Sequence, residues 1–568
     1  MSSETRSGAG SRRALSTLLA FAAVATVASM VAINPYRYGV ADQVLTIPFL
    51  KQWIDPGLYL GDYIVEEKSH LYTLLWPTLA YLVRGSGLSI ESVFFWGYAS
   101  ALFATFLSIG VLARTFADST SAGLLAMFIA VFAKSMLAGS ATIEDNFLTR
   151  VVALPFALFA LTEVFRDRHV RAAALLGIAF VIHPLTGAYA VAMIAAVFVA
   201  ALYDERPLQP LAPVLTFLAM ASPVLVWRAL DPVGLPLVAE TEWLDLLRLR
   251  SPHHVSAFTW SPIDYVSTLA LVAVVFACAP RAAGRDRSTT LVALALGTLG
   301  LFAIALVFAE LIPLSPVVQL QLFRASAFLA YLAIVAYATA LVGAAREPMS
   351  VSELATLWLI GFALLYGVEG WPFDLVALAL VLGAVAAHLR VLGRAMPPEA
   401  LALLLTALVS GLAFGAARAN PMMNAANAQP PDWLDVQRWA RDSTPRDAVF
   451  VVPPSHDGFR VESERSIYGD WKDGTQAFFN ADVGHEWLRR MQKLGFRREM
   501  AVTGLSGTEA LDDAYRRLDA PELRAIFDDI ASTKPVYVLD FADATRWESN
   551  PVFRNESYAV YERSDAPK

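Results

Sequence analysis

The chain has 568 residues, of which 56% are hydrophobic and only 17% charged, with a net charge of −7. A soluble globular chain carries about 25% charged and about 45–50% apolar residues. The composition therefore excludes an ordinary soluble enzyme, a disordered chain and a fibre, and the acidic balance offers no basic field for nucleic acid. The single cysteine, Cys278, lies in an apolar run, which excludes a disulfide framework and a cysteine-based zinc site. There is no Walker loop, GxSxG elbow, HExxH pair or glycine-rich dinucleotide loop.

A helix that crosses a bilayer needs about 20 mostly apolar residues. In chain order such stretches fall at 14–33, 90–113, 122–139, 147–165, 170–184, 186–203, 208–229, 263–280, 290–310, 320–343, 352–368, 371–390 and 398–417. The break between 170–184 and 186–203 rests on His183-Pro184, because proline lacks a backbone donor and disfavours helix in the residue before it. With residues 1–13 inside and alternation thereafter, the inside loops carry Arg12, Arg13, Arg114, Arg166, Arg168, Arg171, Arg206, Arg281, Arg285, Arg287, Arg346, Arg390 and Arg394. The outside loops collect Asp42, Asp55, Asp62, Glu66, Glu67, Glu144, Asp145, Glu240, Glu242 and Asp245. This is the positive-inside pattern. Ser11-Arg12-Arg13-Ala14-Leu15 echoes a twin-arginine signal, but the dozen apolar runs behind it favour an uncleaved first anchor.

The expected architecture is an all-α polytopic membrane domain of about thirteen spans with a small C-terminal α/β extracytoplasmic domain. Residues 1–13 form a cytoplasmic tail, 14–418 the multi-pass domain with long outer loops at 34–89 and 231–262, and 419–568 the outside domain. The first loop holds an amphipathic stretch, 44–54, suited to the membrane interface, and an apolar segment, 70–83, too short to span. In the tail, 448–452, 535–539 and 557–561 read as strands and 432–441 and 507–518 as helices, after a linker at 424–427. The expected location is the cell (inner) membrane, with the N-terminus cytoplasmic and the tail periplasmic or extracellular.

Ionisable groups near membrane depth are costly and are candidates for function. Asp42 follows the first span closely, where a carboxylate can take a hydroxyl proton or ligate a divalent cation; a helix cap is the plain alternative. Glu144 and Asp145 form an adjacent acidic pair between the third and fourth spans, suited to a hard cation or to capping the next helix. Asp62, Tyr63, Glu66 and Glu67 read as a solvated cluster. Arg324 lies at a span end and is suited to bidentate phosphate binding or to snorkelling. Arg250 and His254 on the second outer loop are phosphate or acceptor candidates, while neighbouring His253 points elsewhere on any regular backbone. His183, at the helix break, belongs at a cavity wall or in a structural role. In the tail, Gly458-Phe459-Arg460 and the loop Tyr468 to Gly474 suit sugar or peptide contact, or ordinary turns.

An inside N-terminus, an early acid in a long first outer loop, a second acidic pair, many spans and an outside α/β tail together resemble the GT-C superfamily of membrane glycosyltransferases. In overall topology the chain is similar to the oligosaccharyltransferase catalytic subunit. It is more similar to a bacterial multi-pass branch with a Tyr-Gly-x-x-Asp-Gln stretch, here Tyr38-Gly39-Val40-Ala41-Asp42-Gln43, and an Asp-Pro-x-Leu-Tyr-x-x-Asp stretch, here Asp55 to Asp62. The resemblance implies that Asp42 is the first-loop catalytic acid, and that Glu144 and Asp145 stand for the second acidic motif. It implies a polyprenyl-phosphate-linked sugar donor, and Mg²⁺ or Mn²⁺, which some members need, at Asp42, Glu144 and Asp145. The acceptor would be a glycan or protein of the envelope. Arg324, helped by Arg250 and His254, would then hold the leaving phosphate. The Trp-Trp-Asp triplet of oligosaccharyltransferases is missing; Asp470-Trp471-Lys472-Asp473 is a different motif, which argues against asparagine-linked transfer. A lipid or solute transporter, or a non-catalytic binding protein of the same fold, are the alternatives.

Overall fold

The computed structural model describes residues 3–203, 209–231, 235–282, 284–344, 361, 397–419, 429–500 and 505–563. The expected spans 352–368 (Gly361 apart) and 371–390, the linker 424–427, and Arg206, Arg346, Arg390 and Arg394 lie outside the described residues. The chain divides into two compact units, each built from separated segments. One comprises Met1–Tyr36, Phe94–Leu230 and His253–Asn424; the other comprises Arg37–Val93, Asp231–Pro252 and Ala425–Lys568.

The first unit is helical and apolar. Among the described residues eight helices are long and apolar enough to cross a membrane: Ser11–Ile33, Ile90–Ala117, Pro184–Tyr203, Leu211–Leu230, Pro262–Pro280, Arg285–Leu311, Ser315–Ala344 and Pro398–Gly415. Leu211–Leu230 turns Leu211, Leu215, Val226 and Leu230 outward, as a helix facing lipid does, whereas Ser326–Ala344 is buried along most of its length. Hydroxyls inside the helices bond back to their own backbone: Thr26 Oγ1 to the Ala22 carbonyl at 2.7 Å and Thr339 Oγ1 to the Val335 carbonyl at 2.8 Å. Without water to bond to, this is how such groups are satisfied. A Cβ added at Gly123 would lie 2.5 Å from the Gly110 carbonyl oxygen, so these two helices meet backbone to backbone.

The apolar stretch 122–139 differs from its expected single span. Its helix, Thr120–Ala130, has 11 residues and is about 16 Å long, against about 30 Å of hydrocarbon. Beyond it the chain forms a small antiparallel hairpin of β1 (Ser135–Met136) and β2 (Ser140–Ala141). The turn places Ala138 (φ 56°) and Gly139 (φ 61°) in left-handed backbone. Lys134 is buried, and its backbone is satisfied locally: its N–H donates to Thr142 Oγ1 at 2.9 Å and its carbonyl accepts from the Thr142 N–H at 3.0 Å. The helix ends at Ala130, before Lys134, and Ala138-Gly139 supply the left-handed turn of the hairpin where hydrophobicity alone would continue the helix. At His183 (φ −147°, ψ 99°) the helix His169–Ile182 stops, and Pro184–Tyr203 begins as the proline dictates.

The second unit is built on a five-stranded sheet in the order β4-β3-β5-β7-β6. Its strands are β3 (Val449–Val451), β4 (Ser466–Ile467), β5 (Val536–Phe541), β6 (Phe553–Arg554) and β7 (Tyr558–Glu562). β3 pairs parallel with β4 and β5; β7 pairs antiparallel with β5 and β6. Trp433, Phe450, Phe459, Leu539 and Val560 fill the core. The segment 44–54, expected at the membrane interface, is the helix Gln43–Ile54, but it buries Val44, Leu45, Ile47, Phe49 and Leu50. Its apolar face is used inside this unit, with Lys51 Nζ donating to the Val461 carbonyl and to Glu464 Oε1, each at 2.8 Å.

Candidate functional site

A cavity lies within the first unit and encloses about 670 Å³ of empty space, part of it open to solvent. Apolar walls come from Leu102, Val151, Leu154, Ala327 and Phe328, while Glu144, Arg150, His183, Tyr189 and Arg324 bring polar groups to the same space. Glu144, His183 and Arg324 are delivered by breaks in regular helix, whereas Tyr189 stands within the helix Pro184–Tyr203. Glu144 lies on the loop after β2, and Arg150 stands in the first turn of Thr149–Val164. Arg150 Nε and Nη2 donate to the two oxygens of Glu144, the second bond being 2.7 Å. This is the paired fork geometry that guanidinium and carboxylate favour.

Arg324 sits in the 3-10 turn Leu322–Ala325, which follows Gln321 in left-handed backbone (φ 46°). Tyr189 fixes that irregular turn, its hydroxyl donating to the carbonyls of Leu320 (2.6 Å) and Gln321 (3.1 Å). Arg324 Nη1 donates to Gln321 Oε1 at 3.0 Å. His183 Nδ1 lies 2.7 Å from Thr186 Oγ1 and 3.2 Å from the Thr186 backbone nitrogen, so the ring is tied to the first turn of the helix that follows it. Tyr331 donates to the Thr142 carbonyl and holds the loop that leads to Glu144.

The other candidates are placed elsewhere. Asp145 is half-buried beside Glu144 and is not among the residues lining the cavity. His254 Nδ1 donates to the Ala138 carbonyl at 2.8 Å, and its ring lies against Gly139, so it serves the left-handed turn of the hairpin. Asp42 and Arg250 belong to the second unit. There Lys472 Nζ donates to Asp42 Oδ1 at 2.8 Å. Arg250 donates through Nε to the Trp471 carbonyl (2.7 Å) and through Nη2 to Thr475 Oγ1 (3.2 Å), with its guanidinium 5.6 Å from the centre of a Trp471 ring. Burial lowers the pKa of Arg250, against the pull of Asp470 and Asp42.

Of the expected solvated cluster, Glu66 is exposed and Tyr63 and Glu67 are half-buried, but Asp62 is buried. Asp62 is 1% exposed; it accepts from Arg460 Nε at 2.7 Å and from the backbone N–H groups of Ile64 (3.1 Å) and Ile467 (3.2 Å). Arg460 also donates to both oxygens of Asp473, at 2.7 and 3.0 Å. Burial opposes the charge of Arg460, but Asp473 and Asp62 more than compensate and raise its pKa. Asp470, buried beside Asp473, has its pKa pushed well up by that burial and by the neighbouring carboxylate. Sequence reasoning passed over Arg150, for which an arginine within the apolar stretch 147–165 was a legible signal. It singled out the loop Tyr468 to Gly474, but the pairing of its Lys472 with Asp42 has no signal short of the fold.

Among the described residues no group of three or more His, Cys, Asp or Glu side chains is placed to hold a metal ion. Both oxygens of Glu144 face the guanidinium of Arg150, and Asp42 is engaged by Lys472. These carboxylates are arranged for cationic side chains, and the donor set does not fit Mg²⁺ or Mn²⁺ as it stands.

A family model described as Domain of unknown function (DUF6798) matches residues 431–494. No curated protein matches the chain. Among solved structures, ArnT from Cupriavidus metallidurans in the apo state is similar over 95% of this chain and 97% of that chain, at 13% identity and a TM-score of 0.48. The same protein bound to undecaprenyl phosphate is similar over 96% and 97%, at 12% identity and 0.46. The apo Archaeoglobus fulgidus oligosaccharyltransferase is similar over 93% of this chain and 70% of that chain, at 13% identity and 0.46.

Proposed function

We propose that the chain is an integral membrane glycosyltransferase that moves a sugar from a polyprenyl-phosphate donor to an envelope acceptor at the outer face of the cytoplasmic membrane. The observation that carries this reading is the joint lining of one cavity by Arg324, His183 and the Glu144–Arg150 pair against apolar walls. A phosphate ester of a long isoprenoid needs cationic donors at one end and an apolar surface beside them, and the cavity offers both.

In the proposed reaction the acceptor hydroxyl gives its proton to a carboxylate, and its oxygen attacks the anomeric carbon. The bond from that carbon to the phosphate oxygen breaks, and polyprenyl phosphate leaves with the electron pair. Arg324 neutralises the charge that grows on the phosphate, beside the apolar walls of the cavity. His183 lines the same space, and Glu144 holds the guanidinium of Arg150 in place. Asp42 is assigned the acceptor proton on the resemblance of Tyr38 to Gln43 to the first-loop motif of the superfamily. No step is routed through a metal ion.

The test is the lipid-linked sugar pool of cells with and without the chain. Accumulation of a polyprenyl-phosphate sugar on deletion, cleared by the wild-type chain and not by Arg324→Ala or Asp42→Asn, is the expected result. An unchanged pool on deletion overturns the reading and favours a transporter or binding protein.

A further inference from the structure

The tetrapeptide Asp470-Trp471-Lys472-Asp473, inside the matched stretch 431–494, sends its residues to three different cations and anions. Asp473 takes both terminal nitrogens of buried Arg460. The Trp471 carbonyl takes Arg250 Nε at 2.7 Å. Two of the four reach the first outer loop: Asp473 accepts from the Tyr63 hydroxyl at 3.0 Å, and Lys472 Nζ lies 2.8 Å from Asp42 Oδ1.

The frame behind Lys472 is rigid. The Asp473 N–H donates to Asp470 Oδ1 at 3.0 Å and the Asp470 N–H to Asp473 Oδ2 at 3.2 Å. The Trp471 N–H donates to the Pro454 carbonyl at 2.7 Å, and Trp487 Nε1 to the Asp470 carbonyl at 3.0 Å. A Cβ at Gly474 would meet the Trp487 ring at 2.5 Å, so nothing larger than glycine closes this turn.

The backbone around Asp42 is held from the same domain. Ala41 is in left-handed backbone (φ 54°), a strained conformation for a residue with a side chain. It follows Gly39, whose carbonyl accepts from Gln429 Nε2 at 2.7 Å and whose N–H donates to Gln43 Oε1 at 2.8 Å. Gln429 is in turn held by Gln437 on the helix Pro431–Ser443, at 2.9 Å. The tail thus grips the Tyr38 to Gln43 stretch at two points, a carbonyl and a carboxylate. The pair is half-buried, with the Asp42 and Lys472 side chains 33% and 19% exposed. An exposed ion pair contributes little stability, but one mounted on a rigid turn fixes the plane of a carboxylate.

We infer that Lys472 is the positioning residue for Asp42, and that the task of the matched 431–494 stretch in sugar transfer is to hold that carboxylate in its working orientation. This rests on the glycosyltransferase reading above. Misplacing a reacting group by about 1 Å costs about 100-fold in rate, and that is the loss expected when Lys472 is removed.

The experiment uses full-length chains in deletion cells, with the polyprenyl-phosphate sugar pool measured by mass spectrometry and membrane protein by immunoblot. Lys472→Ala is expected to leave the pool as high as Asp42→Asn does, Lys472→Arg to clear it, and Lys534→Ala to clear it. Lys534 is the control because it also ties tail to first loop, through Nζ to the Leu60 carbonyl at 2.7 Å, away from Asp42. Purified Lys472→Ala is expected to bind undecaprenyl phosphate as the wild type does, which a folding defect would not allow; Lys472→Gln replaces it if the alanine variant is not retained in membranes. Clearance by Lys472→Ala, with Asp42→Asn still defective, overturns the inference and leaves the transfer reading intact. Clearance by Asp42→Asn overturns both.

Discussion

Arg460 donates from Nε to Asp62 at 2.7 Å, joining residues 398 positions apart in the chain. The same guanidinium takes both oxygens of Asp473, and all three side chains are at most 2% exposed. Removing one partner of a buried ionic group strands the others, at a cost of about 3–5 kcal/mol. Arg460→Ala is therefore expected to lower the thermal midpoint of the purified protein strongly. Arg460→Lys should recover little of it, because a point charge cannot replace two parallel bonds. A midpoint within about 1 °C of wild type for Arg460→Ala would remove the network from any account of stability.

Asp470→Asn is expected to behave in the opposite way. Burial and Asp473 raise the Asp470 pKa, so the folded protein keeps a proton there that the unfolded chain releases. That difference makes the native state lose stability as pH rises above the unfolded value of about 4. Asparagine keeps the acceptor for the Asp473 N–H and has no proton to lose. Denaturation measured at pH 5 and pH 8 should show the variant gaining on the wild type with rising pH; a constant difference contradicts this.

A carboxyl pair on the tail surface carries the opposite sign. Bonds from Arg489 and Arg490 hold Glu486 down to about 2. Asp529, although partly buried, is also held down to about 2, by Lys493, Tyr468 and Arg489. Stability from these groups is present above their unfolded values of about 4 and is lost as pH falls through about 2. Arg489→Ala should destabilise the protein at pH 7 and have a much smaller effect near pH 2.5, as followed by tryptophan fluorescence. An equal effect at both pH values would assign the role of Arg489 to packing.

Arg324→Ala is expected to weaken undecaprenyl-phosphate binding by at least about 10-fold, the loss of one charge-assisted contact. Tyr189→Phe should weaken it less, through loosening of the Leu320–Gln321 turn that aims Arg324. Titration of the lipid phosphate into protein in nanodiscs reads both. Unchanged affinity in Arg324→Ala would place the phosphate elsewhere.

The spans were legible because twenty apolar residues in a row have few other fates, and β3, β5 and β7 because their runs are long enough to be seen. The hairpin at Ser135 to Ala141 was hidden in a hydrophobic average, with Lys134 as its one mark. The burial of Asp62 was illegible, because the arginine that neutralises it stands 398 positions downstream. The candidates sorted into two groups for the same reason. Glu144 and Arg324 line one cavity through helix breaks that proline and left-handed residues announce only weakly. Asp42 and Arg250 are gathered by the loop 471–475, a relation that no local pattern encodes.

The second unit joins residues 37–93 to a tail that begins at residue 425. A ribosome delivers these pieces far apart in time, at about 5–20 residues per second. The early loop must therefore wait for its tail partners, among them Glu464 for Lys51 and Arg460 for Asp62. A nonsense mutation upstream of the sheet would deny Lys51 its Glu464 and Asp62 its Arg460, stranding charges that the finished domain neutralises.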